Sequence, residues 1–373
     1  MNPASNIKLY GKAKSNLLGY VMAMENQKPY IAMVFIQLVY AGMALFSKAA
    51  IAKGMNPFVF VVYRQALAAL ALSPFAFFFD SGKAAPLSYA LLCKIFFVSL
   101  IGITLSMNLY YVALNYTSAT FAAATTNAIP AITFAMAVLL RMECISVRNV
   151  HGVAKVMGAV VSLSGALVFA FLKGPPLKFM MNWYPSSHDH QITKITYHKN
   201  DWIKGSFMML SANTAWSLWL ILQGLLVKQY PAKLRLTTLQ CVFSSIQSAF
   251  VAIAMERNPS SWKLGWDIHL LSMAYCGIVV TGITYWLQVW AIEKKGPVFT
   301  ALFTPLALII TAIISAFLWE EALYWGSVGG AILLVGGLYS VLWGKNKEDR
   351  GNETNEQRQE SKEEIILECI THH

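Results

Sequence analysis

Two stretches of the sequence decide the fold: residues 118–140, SATFAAATTNAIPAITFAMAVLL, and residues 297–319, PVFTALFTPLALIITAIISAFLW. Each is an uncharged and largely apolar run, and an α-helix of about 20 such residues is long enough to cross the hydrocarbon core of a bilayer. Each also contains one interior proline, Pro130 or Pro305. The two stretches predict a pair of membrane-spanning helices that share one design.

Eight further runs of the same kind flank these two stretches. They lie at about 30–50, 57–79, 90–114, 150–172, 204–227, 236–255, 269–291 and 324–344. Together the runs predict an all-α polytopic membrane protein with ten transmembrane helices. The predicted organisation is a cytosolic N-terminal segment (1–28), a first five-helix repeat (29–172), a central extracytosolic loop (173–203), a second five-helix repeat (204–345) and a disordered cytosolic tail (346–373).

The composition of the chain excludes several classes of protein. Hydrophobic residues make up 57 % and charged residues 13 % of the 373 residues, whereas a soluble domain has about 45–50 % apolar and about 25 % charged residues. The net charge of +11 comes from Lys and Arg placed between the apolar runs, as in loops that orient membrane helices. No basic stripe for nucleic acid is present, so we expect a lipid bilayer and a small molecule as partners and no nucleic acid.

The two groups of five runs repeat one another at an offset of 175 residues. At this offset Gly102 corresponds to Gly277, and Tyr110 corresponds to Tyr285. The same offset relates Thr125 to Thr300 and Pro130 to Pro305. Because each half has an odd number of helices, the second half enters the membrane from the opposite side. The sequence therefore predicts two inverted repeats, an architecture found in many secondary transporters.

The charges in the short loops predict the orientation of the chain. With a cytosolic N-terminus, eight Lys and Arg residues fall in short inside loops and three in short outside loops. Because cytosolic loops are enriched in Lys and Arg, we expect both termini in the cytosol.

Motifs for chemistry or energy conversion are missing from the sequence. It contains no phosphate-binding G-x-x-x-x-G-K-[ST] loop, no H-E-x-x-H and no G-x-S-x-G. The five cysteines are scattered and form no C-x-x-C pair. We therefore predict no enzyme, no catalytic residue, no cofactor and no metal site.

Several amides lie inside the apolar runs, where an unpartnered amide is costly. Those near mid-depth are Gln37, Asn127, Asn213 and Gln247, and those nearer one end are Asn108, Gln223, Gln240 and Gln288. Two roles are open for each: a hydrogen bond that holds two helices together, or the lining of a solute path. As a set, we expect some of them to line the path, because a polar solute needs partners there.

The two interior prolines and the few internal cations leave alternatives of the same kind. Pro130 and Pro305 each remove one backbone donor; they either kink a packed helix or break it at the repeat interface to bind a substrate. For Arg64, Lys155 and Lys48 we expect the charged end to reach towards the interface. Arg64 is also the best candidate to bind a substrate carboxylate, because a guanidinium can do so bidentately.

Small residues mark two helices as packing surfaces. The fifth run places Ala154, Gly158, Ser162 and Ala166 four residues apart, and the tenth contains Gly326 and Gly330 followed by Gly336, Ser340 and Gly344. Such spacing allows two helix backbones to approach closely.

Several short motifs give the chain a resemblance to a known family. They are Gln37 with Tyr40-Ala41-Gly42, Tyr63-Arg64, Tyr110-Tyr111, Asn127-Ala128-Ile129-Pro130-Ala131, Gly282-Ile283-Thr284-Tyr285 with Gln288, and Lys295-Gly296-Pro297-Val298-Phe299. In this order the chain resembles the plant drug/metabolite transporters of the EamA type, the nodulin-21-like, Walls-Are-Thin-related or UMAMIT group.

The resemblance implies a ten-helix secondary transporter of small organic solutes, most often amino acids, working by alternating access in the plasma membrane. Auxin or another indole as substrate, the vacuolar membrane as location, and a non-transporting receptor or scaffold remain alternatives. The sequence leaves open whether the protein forms a homo-oligomer. No Asp or Glu lies deep in a run, which favours a bidirectional facilitator or exporter over a proton-driven carrier. The candidate substrate-binding residues are Gln37, Tyr40, Arg64, Asn108, Tyr111, Asn127, Pro130, Asn213, Trp216, Tyr285, Gln288 and Pro305.

Overall fold

The protein is an all-α bundle in a computed structural model. The structure describes residues 27–43, 46–47, 50, 53–79, 87–116, 125–142, 150–171, 199–263, 265, 268–318, 325–326 and 328–348. No strand occurs in these ranges. The predicted N-terminal segment up to residue 26, most of the central loop and Lys48 lie outside the described residues.

The first repeat contains five helices. Helix α1 covers residues 27–43, α2 covers Pro57–Phe79 and α5 covers Val150–Phe171. Helix α3 has three parts in direct succession: Tyr89–Val98, a π-helical segment Ser99–Leu105, and Ser106–Tyr116. Helix α4 covers Ile129–Leu139, and a turn at residues 127–128 separates it from a helical start at 125–126.

The second repeat has the same plan. Helix α6 covers Lys199–Gln229, α7 covers Lys233–Met255 and α10 covers Val328–Glu348. Helix α8 again has three parts, Ile268–Ala274, a π-helical segment Tyr275–Ile283, and Thr284–Lys295. Helix α9 again has two parts, Pro297–Leu302 and Thr304–Leu318. The π-helical segments of α3 and α8 and the breaks of α4 and α9 thus recur at equivalent places.

The ten helices confirm the predicted fold class. Within the residues that the structure describes, six helices are long and apolar enough to span a membrane, and the apolar parts of α4, α5 and α9 are shorter. Two helix ends extend beyond the predicted repeats, while the domain bounds themselves stay a prediction. Helix α6 begins at Lys199, inside the stretch predicted as the central loop, and α10 continues to Glu348, three residues into the predicted tail.

Polar contacts mark the two ends of the bundle. At the Gly296 end, where α8 meets α9, Lys233 of α7 pairs with Glu293 of α8. At the Trp262 end, between α7 and α8, the Tyr63 hydroxyl donates to the Trp262 carbonyl over 2.9 Å, and Asn56 contacts Glu256. Chain segments therefore alternate between the two ends as the sequence predicts; which end faces the cytosol stays a prediction.

Helices α5 and α10 pack so closely that their backbones touch. A Cβ added at Gly337 would lie 2.5 Å from the Ser162 nitrogen and 2.6 Å from the Gly158 oxygen. The Ser340 hydroxyl donates to the Ala154 carbonyl over 3.1 Å. The small-residue surface is therefore present, but the sequence prediction of Gly336 as its member was wrong: nothing lies within 4 Å of a Cβ added there. We call this contact the α5–α10 seam.

Lys155 differs from its expected role at the interface. Its side chain is 4 % exposed and pairs with Glu348 at the end of α10. A buried ammonium beside a carboxylate is stabilised without reaching towards water. The α5–α10 seam therefore ends in an ion pair, and Glu348 of this pair lies in the predicted tail.

Candidate functional site

A central cavity of about 260 Å³ lies between the two repeats. Its lining comes from α1 to α4 of the first repeat and from α6, α8 and α9 of the second: Gln37, Tyr40, Met43, Arg64, Ser106, Met107, Tyr110, Tyr111, Thr126, Asn127, Ile129, Ala212, Asn213, Trp216, Tyr285, Gln288, Thr304, Ala307, Leu308 and Thr311. The volume is close to the lower end of the roughly 300–1,000 Å³ range of small-molecule pockets. Apolar and aromatic walls with a few converging polar groups are typical of such pockets.

Arg64 is the one residue with a formal charge among the described residues that line the cavity. Its side chain is 3 % exposed, and its Nε donates to the Thr281 hydroxyl over 2.6 Å. Tyr40, Tyr111, Tyr285 and Cys276 surround it, and no described carboxylate pairs with it. The expectation that Arg64 reaches towards the interface was wrong, because its helix face points into the protein centre.

The π-helical segment of α8 holds Arg64 in place. Thr281 lies in this segment, and its hydroxyl also donates to the Cys276 carbonyl over 2.9 Å. A Cβ added at Gly277 would lie 2.9 Å from the Arg64 carbonyl oxygen, so only a glycine lets α2 approach this closely. The wide π-helical turn and the small residue together bring the Arg64 backbone against α8. Widened turns of this kind often occur at functional sites.

The buried amides divide between the two roles that the sequence left open. Gln223 accepts a hydrogen bond from Gln240 over 2.7 Å, and Gln247 accepts one from Thr104 over 2.8 Å. Asn108 donates to the Thr104 carbonyl in its own helix. The amides that line the cavity are Gln37, Asn127, Asn213 and Gln288.

Three of the cavity's buried polar atoms have no hydrogen-bond partner among the described residues. They are the Gln37 Oε1 acceptor, the Asn213 Nδ2 donor and the Tyr285 hydroxyl. Gln288 Oε1, by contrast, accepts from the Tyr40 hydroxyl over 3.1 Å. Because an unsatisfied buried polar atom costs about 1–3 kcal/mol, a hydrogen-bond partner at any of these three atoms would be favourable.

Tyr110, Tyr111, Trp216 and Tyr285 line the cavity, and we call these lining rings the aromatic wall. Trp216 stacks on Trp219 with centroids 4.9 Å apart and an interplanar angle of 26°. Trp216 also contacts Tyr285 at 5.6 Å, and Tyr110 packs edge-to-face on Tyr111 at 5.5 Å. This wall offers ring faces for an apolar or cationic group of a ligand.

The broken helices α4 and α9 reach the cavity at their breaks. Asn127 lies in the turn before Ile129, and the Ile129 carbonyl accepts from the Ser217 hydroxyl at 3.4 Å. In α9 the break at Phe303 precedes Thr304, which lines the cavity. Pro130 and Pro305 are the second residues of the segments that follow the breaks, a position where the missing N–H costs little.

An aromatic cluster lies between the cavity and the Gly296 end. Tyr30 of α1 packs edge-to-face on Phe299 at 5.1 Å and contacts Phe303 at 6.3 Å. Phe299 and Phe303 are 5.1 Å apart, and both are buried with Met33 and Ile36. The cluster packs the first turns of α1 against the first part of α9.

Nine of the twelve candidate residues line the cavity, namely Gln37, Tyr40, Arg64, Tyr111, Asn127, Asn213, Trp216, Tyr285 and Gln288. Asn108, Pro130 and Pro305 are not among the lining residues. Asn108 bonds within α3, and the two prolines shape the backbone beside the lining residues Ile129 and Thr304. A role in substrate binding stays a prediction for all twelve.

The sequence candidates omitted eleven lining residues, most of them apolar or hydroxyl-bearing. Helical periodicity was the signal that could have found many of them. Thr304, Leu308 and Thr311 follow one face of α9, and Met43 lies on the face of α1 that carries Gln37 and Tyr40. Extending each polar candidate along its own helix face would have included these positions.

Comparisons with known proteins agree with this architecture. Residues 27–168 and 203–343 match the EamA-like transporter family. WAT1-related protein At1g43650 of Arabidopsis thaliana is 62 % identical over 349 residues, covering 94 % of this chain and 99 % of that protein. WAT1-related protein At5g64700 of the same plant is 48 % identical over 336 residues, covering 89 % and 94 %.

A protein of known crystal structure shares the fold. It aligns with a TM-score of 0.65 at 14 % identity, over 84 % of this chain and 98 % of that chain. The family match covers both repeats, and the two WAT1-related proteins are 62 % and 48 % identical to this chain. The chain belongs to the EamA-like transporter family, within the plant drug/metabolite transporters that include the WAT1-related proteins, and is a multi-pass membrane transporter of small solutes.

Proposed function

We propose that the protein carries amino acids through the central cavity by alternating access, as a bidirectional facilitator or exporter of the plasma membrane. The observation that carries this proposal is Arg64, a buried guanidinium in a cavity between the two repeats with no described carboxylate to neutralise it. A guanidinium binds a carboxylate through two parallel hydrogen bonds, so a carboxylate of the solute supplies the missing partner.

The remaining polar atoms suit the other end of an amino acid. An ammonium group needs acceptors, and Gln37 Oε1 and the Tyr285 hydroxyl have unused acceptor capacity in the same cavity. The ring faces of the aromatic wall also attract a cation. Amides, hydroxyls and rings together can therefore bind an ammonium without an acidic residue.

A second candidate substrate, an indole carboxylate such as auxin, is favoured by the stacked Trp216 and Trp219. An indole ring bound against this wall would gain about 0.5–1.5 kcal/mol from ring stacking beyond its burial, while its carboxylate would bind Arg64. It would leave the ammonium acceptors to water.

A receptor or scaffold without transport fits the cavity less well. A rigid structural core would pair its amides with one another, and Gln240 does donate to Gln223, although Gln240 Oε1 and Gln223 Nε2 have no partner among the described residues. Gln37 and Asn213 differ from this pair because they line the cavity, and each has one buried polar atom without a partner among the described residues. Their unsatisfied atoms support a cavity that binds a solute.

Counterflow in proteoliposomes tests the proposal. The purified full-length protein is loaded with one unlabelled amino acid at a time, or with indole acetate, and entry of the labelled compound is measured. We expect exchange of amino acids. If no compound is exchanged while equilibrium binding to the purified protein is detected, the receptor alternative replaces the proposal.

A matched pair of variants tests the site. Gln37→Ala should raise the half-saturating amino acid concentration by about tenfold or more, since a hydrogen bond to a charged group contributes about 1.5–3 kcal/mol. Gln229→Ala changes the same residue type at a helix end, where Gln229 accepts from exposed Lys94 at 3.0 Å, and should leave the half-saturating concentration unchanged. Equal effects of the two variants would remove Gln37 from the site.

A further inference from the structure

We infer that Arg64 makes the unloaded carrier electrically charged, so that membrane voltage acts on its change between outward-facing and inward-facing forms. The inference rests on the proposed function, since it assumes a carrier that alternates through this cavity. It concerns the electrical behaviour of the cycle and holds for either candidate substrate.

The charge of the cavity follows from its residues. Among the described lining residues Arg64 alone is ionised, and a guanidinium does not lose its proton in a protein. Every Asp and Glu between residues 29 and 345 lies at the end of an apolar run or between two runs. Thr281, the hydrogen-bond partner of Arg64, is neutral. The cavity of an unloaded carrier therefore has one fixed positive charge.

Alternating access moves this charge through the membrane field without moving the side chain far. A cavity open to one side takes the electrical potential of that side, and the barrier that holds the voltage lies on its other side. When the barrier changes sides, Arg64 experiences the potential of the opposite solution. With a negative cytosol, the inward-facing unloaded form is favoured.

Membrane voltage changes the relative populations of the two unloaded forms by a large factor. If the full voltage falls across the switch, a step of 100 mV changes the ratio of inward-facing to outward-facing unloaded carriers about 50-fold. A bound monocarboxylate neutralises the guanidinium, so the loaded carrier changes sides without this bias. A bound zwitterion brings its own ammonium and leaves the net charge at +1.

Voltage-clamped oocytes that express the full chain provide the test. In the absence of substrate, voltage steps should produce a transient charge movement that saturates at both extremes. Arg64→Gln should abolish it, and Arg64→Lys should retain it. Arg235→Gln, which removes a half-buried guanidinium that donates to the Ala76 carbonyl outside the cavity, should leave it intact. Surface biotinylation gives the amount of each variant in the membrane.

A second measurement uses wild-type protein alone. Saturating indole acetate should suppress the charge movement if it is a substrate, whereas saturating tryptophan should not. Labelled uptake in the same cells reports transport separately. Uptake without any charge movement, or charge movement that survives in Arg64→Gln at equal surface level, would overturn the inference. Charge movement without uptake of either compound would support the inference and reject the proposed substrates.

Discussion

Replacing Gly337 by alanine should separate the two helices of the α5–α10 seam. The new Cβ would lie 2.5 Å from the Ser162 nitrogen and 2.6 Å from the Gly158 oxygen. Both are backbone atoms, so no side-chain rotation can relieve the contact. The helices must move apart by about 1 Å to restore normal packing distances. Gly336→Ala is the matched control, because nothing lies within 4 Å of its added Cβ.

The two variants should differ in unfolding free energy only by the cost of the steric clash at residue 337. Each gains about 1 kcal/mol from replacing a helical glycine by alanine. Gly337→Ala also suffers the overpacking penalty, which is about 1–3 kcal/mol in a well-packed interior. The difference in unfolding free energy between the variants should therefore be about 1–3 kcal/mol, with Gly337→Ala the less stable.

Unfolding in mixed micelles titrated with SDS measures this difference. Gly336→Ala should equal or exceed the wild-type protein, and Gly337→Ala should unfold at a lower SDS fraction. If both variants shift the transition equally, the backbone contact between α5 and α10 does not exist and the reasoning fails.

Four further predictions concern the chain termini, the energy coupling of transport and the solute path. Deleting 349–373 should leave stability unchanged, whereas deleting 346–373 should lower it by up to about 3 kcal/mol, because Lys155 would stay buried without Glu348; SDS unfolding compares the two. A protonophore at clamped voltage should leave uptake unchanged, since no acid lies deep in an apolar run; a collapse of uptake against a substrate gradient would contradict the facilitator. Tags at both termini should become protease-sensitive only after the plasma membrane is permeabilised, because loop charges predict a cytosolic location for both; sensitivity of one tag in intact cells would reverse this assignment. Asn127→Ala should impair transport per surface molecule more than Gly158→Leu does. The main effect of Gly158→Leu should be a lower surface amount, because a Cβ added at residue 158 meets Gly337 and Val341. Equal transport per surface molecule in the two variants would argue against Asn127 as a partner of the solute.

Sequence reasoning succeeded where a single chemical property decides the outcome. Runs of apolar residues must become helices in a bilayer, because no other open structure satisfies the backbone there. The ten runs therefore match the ten helices to within a few residues at most ends. The offset of 175 residues also related Pro130 to Pro305, and of the two alternatives left open for them the structure has a break before each.

The errors arose where the rotation of a helix about its axis decides the outcome. Successive residues of a helix differ by about 100° in direction, so spacing alone cannot choose between adjacent positions. Gly336 and Gly337 both fit a small-residue pattern with Gly344, and the packing of α10 on α5 selects Gly337. Arg64 is close enough to a helix end to reach the interface, yet its face of α2 lies against the cavity.

The charge of the cavity belongs to one repeat only. The residue 175 positions after Arg64 is Leu239, so the duplicated architecture has no second guanidinium at the matching place. A cavity with twofold symmetry would accept an asymmetric solute in two equivalent poses, one the reverse of the other. If Arg64 binds the solute carboxylate as proposed, the single guanidinium removes this degeneracy: the carboxylate would lie against α2 in every loaded molecule, and the rest of the solute would extend towards the second repeat. Selectivity can then evolve in α6, α8 and α9 while the anchoring group stays unchanged in α2.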